Sequence, residues 1–442
     1  MKKFTISIAI TTFLILIFSC DYDPVALPTT QDTTITFNTG EKKWVQLTPV
    51  WEGFNNPQDI IIAPDKYIYL SDKGNNRIVV MNKSGKIIRE DDFGNDFNAL
   101  YELNKINDHQ VQPMGIDIDP KLSLFITDST RFIYCWNQYV NYLKNTTNNQ
   151  DSIAEYIVYS QENGTQLDTV WDFSKALSLE NQGYRKESVK FRKLEDDSIF
   201  TPHVFFEAEN GASFVSVTAA PDSNCIYAAN TNSQKIHKIN MVRSDYLKIG
   251  GITIWQYRGV ADGSIATNGT GAGTVNDPTG MTVDQNGAVY YTQSGENFGF
   301  HKIKRNSENN WASVFSLNEH EIMNLDRFQK PQDVTVDEEG NIFVLNSGQN
   351  EIQEFNFAGE FVRKAGLREV NIDTTIIDTV FQDNDTSYVE KDTIVTKFYN
   401  DILDSPEGIC IDEGVLYITN TNNNSIVRFK LSTDLDVNLE EE

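Results

Sequence analysis

Six oxygen-bearing side chains crowd the stretch SPEGICIDEGVLYITNTNNNSIVRF (405–429): Asp412, Glu413, Asn420, Asn422, Asn423 and Asn424. Calcium takes about six to eight such oxygens, so the stretch has the composition of a metal loop. It lacks the spacing: no EF-hand pattern occurs in Asp404–Asp412 or in Asp117–Asp128. Other chemistries are no better served. The five histidines, His109, His203, His237, His301 and His320, form no HxH or HExxH pair. No GxSxG nucleophile elbow is present. The run GTGAGTVNDPTG (Gly269–Gly280) follows no strand–helix pattern and reads as a turn entering a strand. Cys135, Cys225 and Cys410 are too scattered for a disulfide framework or a zinc site, and read as small buried hydrophobes.

The stretch is one copy of a repeat. Related segments are NPQDIIIAPDKYIYLSD (Asn56–Asp72), QPMGIDIDPKLSLFITD (Gln112–Asp128), DPTGMTVDQNGAVYYTQ (Asp277–Gln293) and KPQDVTVDEEGNIFVLN (Lys330–Asn346). A weaker copy, FVSVTAAPDSNCIYAAN (Phe214–Asn230), lacks the leading proline and brings the number to six. Each runs Pro-x-Gly/Asp, short apolar strand, polar turn, second strand rich in β-branched and aromatic residues. Third strands follow at Arg77–Asn82, Arg131–Asn137, Lys235–Asn240, Phe300–Arg305, Glu351–Asn356 and Ser425–Lys430. Fourth strands are expected at Lys86–Gly94, Ala154–Ser160, Thr253–Gly259, Trp311–Leu317 and Glu360–Gly366. Four strands in each of six repeats imply an all-β fold, a six-bladed β-propeller. The sixth copy has no fourth strand of its own, and Lys42–Val50 has no blade. Closure therefore predicts that this N-terminal strand pairs with Ser425–Leu431 and removes the open edges. The asparagines now divide: Asn420 and Asn424 fall in register with Asp72 and Asn76, and with Asn346 and Asn350, at turns that favour left-handed backbone.

In a propeller, ligands sit where first strands enter the central channel. The residues after the leading prolines are Gln58, Met114, Thr279, Gln332 and Glu407, with Asp59 and Asp333 beside two of them. These seven are the candidate channel-mouth residues. Asp59, Asp333 and Glu407 are the set that could hold a divalent cation; Asp at the first two positions also suits a turn cap. No catalytic residue is assigned.

At DKGNNRIVVMNKSGKII (Asp72–Ile88), together with PQDIIIAPDKYIYLSD, the sequence resembles an NHL repeat. The resemblance runs from about Asn55 to Leu431. It implies a six-bladed propeller acting as a binding or scaffold module for a protein, peptide or glycan, without a cofactor. Related six-bladed folds include calcium-dependent lactonases, so the alternative it implies is a calcium-dependent hydrolase with the metal at the channel mouth. Fold alone does not choose between them.

The chain opens MKKFTISIAITTFLILIFSC. A short basic segment and an apolar run too short to span a membrane comfortably suit a secretory signal over residues 1–19. Ile17-Phe18-Ser19-Cys20 resembles a bacterial lipobox, which implies acylation of Cys20 and a tether over 20–41. The propeller is then 42–431 and the acidic tail 432–442. The address expected is the bacterial cell envelope, lipid-anchored, on a periplasmic or surface-exposed face. The formal net charge of −26 repels phosphate backbones, so nucleic acid is not an expected partner, and a monomer is expected. Insertions at 141–206 and 367–403 interrupt the repeat. The second alternates as a hairpin around Asp383 and Asn384. Short helices are conceivable only at Ser174–Gly183 and Ser316–Leu325, and clustered aromatics such as Trp136, Tyr139 and Tyr142 or Trp171, Phe173 and Tyr184 fit either inter-blade core or a recognition surface.

Overall fold

The computed structural model describes residues 42–87, 100–102, 106, 110–137, 152–159, 166–170, 182, 185–193, 202–249, 252–382 and 385–434. The leader, Cys20, the tether and the end of the tail lie outside the described residues. So do Tyr139, Tyr142, Trp171, Phe173, Tyr184 and nearly all of Ser174–Gly183.

Six four-stranded antiparallel sheets form a six-bladed β-propeller. The inner strands are Pro57–Ile62, Ile116–Ile118, Phe214–Ala219, Pro278–Val283, Pro331–Val336 and Ile409–Asp412, for blades 1 to 6 in order. Each contacts the next around the ring, and the sixth contacts the first. Local sequence shapes each blade. Aspartates between first and second strands cap their own turns: Asp119 Oδ1 accepts from Lys121 N and Ser123 N, and Asp284 Oδ1 from Asn286 N and Ala288 N. Between second and third strands the chain turns through Asn76, Asn350 and Asn424, with φ of 51°, 50° and 51°. Asparagine tolerates this left-handed geometry at little cost.

An aromatic ring occupies the same place on every second strand: Tyr69, Phe125, Tyr227, Tyr290, Phe343 and Tyr417, all buried. They belong to six apolar clusters, and each cluster lies between two neighbouring blades. Trp136 is in the cluster between blades 1 and 2, and the thiols Cys135, Cys225 and Cys410 are buried and unbridged in three of the clusters.

Trp44–Glu52 supplies the outer strand of blade 6, pairing Trp44 with Leu431 and Glu52 with Ser425. Its Trp51 is 6% exposed, packs with Cys410, Tyr417 and Ile426, and carries the Arg428 guanidinium 4.2 Å above its ring. Arg428 also donates to Pro49 O.

Three outer-strand expectations need correction. In blade 2 the fourth strand is His203–Glu207, not Ala154–Ser160. Phe205, buried against Phe125 at 5.1 Å, gives the returning chain its anchor. Ser152–Tyr159 instead pairs with Gln166–Val170 and Arg185–Lys193 in a separate three-stranded sheet. In blade 3, strands Lys235–Ile249 and Ile252–Ala266 form a hairpin longer than the blade, so Val260–Ala266 is the part beside Ile236–Asn240 and Thr253–Gly259 pairs beyond it. In blade 1, Leu100–Glu102 is the fourth strand, and Lys86–Gly94 lies mostly outside the described residues. The 367–403 segment is a two-stranded hairpin, Arg368–Gln382 with Asp385–Tyr399, pinned by Lys43 Nζ to Glu369 at 2.6 Å. Ser316–Leu325 contains only a 3-10 turn, Glu321–Met323.

Trp51→Ala opens a cavity in the seam that closes the ring. Large-to-small aromatic truncation in a core costs about 3–5 kcal/mol. Urea unfolding of the variant is expected to show a loss of that size with the main transition still cooperative.

Candidate functional site

All seven candidate residues line one cavity at the end of the channel where the inner strands begin. Its volume is about 420 Å³. Gln58, Met114, Thr279, Gln332 and Glu407 project from blades 1, 2, 4, 5 and 6. Blade 3 contributes Val215, which the sequence reading passed over. Phe214 pairs with Asn230 as Pro57 pairs with Asp72 and Pro331 with Asn346, so Val215 holds the Gln58 position. The repeat alignment carries that signal, although blade 3 lacks the proline that marks the position in the other blades.

The next residue inward in blades 1 to 6 is Asp59, Gly115, Ser216, Gly280, Asp333 and Gly408. Odd blades carry a side chain and even blades carry none. A Cβ on Gly408 would stand 2.6 Å from Gln58 O and 2.7 Å from Asp59 Cα, too close for any side chain. Threonines on the second strands hold the glycines: Thr127 Oγ1 accepts from Gly115 N, Thr292 Oγ1 from Gly280 N and Thr419 Oγ1 from Gly408 N.

The aspartates link blades. Asp59 Oδ1 accepts from Ile60 N and Oδ2 from Ile116 N of blade 2, both at 2.8 Å. Asp333 repeats the pattern, with Oδ1 on Val334 N at 2.8 Å and Oδ2 on Ile409 N of blade 6 at 2.9 Å. Asp117, two residues further in and not singled out from sequence, does the same for blade 3, where Oδ2 accepts from Ala219 N and Thr218 Oγ1. Its signal was an acidic residue where the other copies place Ile61, Thr218, Thr282, Thr335 and Cys410. The three acids line a second chamber of about 170 Å³ deeper in the channel, and Asp59 and Asp333 border both chambers.

Loss of solvent dominates their acidity. Burial pushes Asp59 up to about 7, against the pull of its two amide donors and with the Asp117 charge adding to it. Asp117 is pushed up to about 6 by the same burial, and Asp333 lies well above the usual carboxylate range through burial and then the Asp59 charge. Burial also raises Glu407, while Lys330 and then Lys73 work the other way.

The cation cage does not assemble. Asp59, Asp333 and Glu407 share the mouth, yet both aspartates spend each oxygen on a backbone amide, and the Glu407 carboxylate makes no hydrogen bond or ion pair among the described residues. No group of three or more His, Cys, Asp and Glu among the described residues is placed to hold a metal ion. The other apparent cage is also split, between the two ends of blade 6. Asp412 and Glu413 face Lys66 and Lys83, with Glu413 2.9 Å from Lys83. At the opposite end Asn420 Oδ1 accepts from Asp404 N, and Asn424 Oδ1 accepts from Asn56 N of blade 1. Among the described residues the histidines are dispersed: His301 is buried on the third strand of blade 4, with Nδ1 accepting from Gly273 N, and His203 Nε2 meets Tyr257 O; His109 lies outside the described residues.

Comparison with known families agrees with this repeat. Residues 403–429 match the NHL repeat. Solved structures with similar folds include a gluconolactonase from Xanthomonas campestris, 11% identical, covering 89% of this chain and 90% of that one, with a TM-score of 0.42. A catalytically inactive virginiamycin B lyase from Staphylococcus aureus, solved with quinupristin, is 14% identical and covers 88% and 99%, with a TM-score of 0.39. An auxiliary nutrient binding protein from Bacteroides thetaiotaomicron is 10% identical and covers 86% and 70%, with a TM-score of 0.45. Comparison with curated proteins finds no match.

The buried acids make stability pH-dependent with a definite sign. Unfolded, Asp59 titrates near 3.8; folded, near 7. Between these values the folded chain binds more protons, so stability present below the lower value is lost as pH rises through the higher. At 1.36 kcal/mol per unit the contribution is at most about 4 kcal/mol, and exposure to the channel reduces it. Denaturant unfolding at pH 4, 5.5 and 7.5 is expected to show the wild type weakening with pH and Asp59→Asn weakening markedly less.

Proposed function

We propose that this chain is a cell-envelope lipoprotein whose propeller is a binding module for a protein, peptide or glycan, engaged at the channel mouth. The observation that carries the reading is the mouth itself. Six side chains at one repeat position, from Gln58 round to Glu407, surround a cavity of small-ligand size, while Asp59 and Asp333 behind them are committed to amides of the neighbouring blades. Among the described residues no serine, cysteine or threonine there is paired with a histidine base, so the mouth is equipped to hold a ligand rather than to attack one.

The alternative is a calcium-dependent hydrolase or lactonase-like enzyme with its metal at the mouth. The amide bonds on Asp59 and Asp333 weigh against it, since a cation would have to compete with four backbone donors. The lipid anchor rests on Cys20 and the apolar run before it. An acidic surface supports a soluble partner rather than nucleic acid.

A panel of peptides and oligosaccharides, titrated with and without calcium, tests the module. A ligand is expected whose affinity falls about tenfold or more in Gln332→Ala and Glu407→Gln, as for loss of a central polar contact. No calcium-dependent thermal shift is expected; turnover of a lactone that needs calcium and is lost in Asp333→Asn would favour the enzyme instead. For the anchor, Cys20→Ala is expected to abolish labelling by a fatty-acid analogue and to move the chain from the membrane to the soluble fraction. Retention in the membrane would refute lipidation as the anchor.

A further inference from the structure

The mouth cavity has two chemically distinct sides. On blades 5, 6 and 1 it presents Gln332, Glu407 and Gln58; on blades 2 and 3 it presents Met114 and Val215. Most polar groups in the wall are already used. Thr279 Oγ1 donates to Pro331 O, Gln58 Nε2 to Asn56 Oδ1, and the two aspartates hold their amides. The Glu407 carboxylate and the Gln332 amide, on adjacent blades, make no hydrogen bond among the described residues. A half-buried carboxylate left without a partner is costly unless something supplies one. Lys330, at the rim, is within electrostatic reach of Glu407 but forms no ion pair with it. Four carboxyl-bearing residues line the cavity against that one ammonium, so an anionic ligand would meet opposition.

We infer that the mouth takes the lysine or arginine side chain of a peptide, its cationic head on Glu407 and Gln332 and its methylene stem along Met114 and Val215. The inference rests on the mouth being the binding site and adds the class of ligand. The apolar side selects the source of the cation: a lysine or arginine stem covers Met114 and Val215, whereas an amino sugar offers hydroxyls there.

Capped tripeptides Gly-X-Gly, with X as lysine, Nε-acetyllysine or norleucine, are titrated calorimetrically into the full chain. The lysine peptide is expected to bind about tenfold or more tightly than the other two, as for loss of a charge-assisted hydrogen bond. In Glu407→Gln the three should converge, with the melting temperature equal to or above that of the wild type, because the carboxylate has no internal side-chain partner to lose and its unpartnered burial is relieved. Equal binding of lysine and acetyllysine, or no binding of the lysine peptide at millimolar concentration, overturns the inference. A glucosamine oligomer that displaces the lysine peptide through the same Glu407 would overturn the peptide source. If the tripeptides fail while another ligand still weakens in Gln332→Ala, only the cationic reading falls. If no ligand responds to either mouth substitution, the mouth reading falls with it.

Discussion

The pairing of Trp44–Glu52 with Ser425–Leu431 is the interaction on which the rest of this molecule depends. Among the described residues no blade has a core of its own. Each apolar cluster is shared between neighbours, so each blade is stable only when both flanks are covered. A chain of six blades has two ends, and without closure blades 6 and 1 would each expose half a core and an unpaired sheet edge. Residues nearly four hundred positions apart therefore decide whether the intervening blades persist. Arg428 shows the seam as a made joint: one guanidinium stacks on Trp51 and bonds Pro49 O, holding the two chain ends together.

Closure also fixes the geometry of the channel wall. With six inner strands crowded round one axis, adjacent backbones approach so closely that the wall alternates between residues with and without a side chain. Gly115, Gly280 and Gly408 make the room that Ser216, Asp333 and Asp59 occupy. The aspartates then reach across and take backbone amides of the following blade at 2.8–2.9 Å. Burying these acids is costly, since loss of solvent raises their pKa values, but the bonds they make are to groups that would otherwise be unsatisfied at the crowded axis. The close approach of the inner strands and the electrostatic cost behind the mouth thus have one origin.

How much of this was legible in the sequence depended on the range of the contact. The copies, their first three strands and the left-handed asparagine turns are local patterns, and they stand in the structure at Asn76, Asn350 and Asn424. Closure was legible because a strand was missing at one end and spare at the other. Blade 2's outer strand was not, since 65 residues lie between Asn137 and His203 and another strand-like run, Ala154–Ser160, stands nearer in sequence. The roles of Asp59 and Asp333 were hidden for a different reason. Within one copy each resembles a turn cap or a ligand, and the amide it serves lies 57 or 76 residues on, in the next blade. Asp117 escaped notice because only one copy carries an acid at that depth.

The two positions after the leading proline divide structural work from recognition. At the second, the residues run Asp, Gly, Ser, Gly, Asp, Gly: packing across the seam forces the three glycines, and the two aspartates bond the next blade. At the first, the side chains face the cavity, and Gln58, Met114, Val215, Thr279, Gln332 and Glu407 share neither size nor charge, with Thr279 alone among them bonded to the next blade through Pro331 O. A position that varies freely round an otherwise constrained ring is where a propeller can acquire specificity without disturbing its closure. The polar members run together round blades 4, 5, 6 and 1, and the apolar members sit on blades 2 and 3. The mouth therefore has a direction, and a ligand would be read by which end it turns toward Glu407.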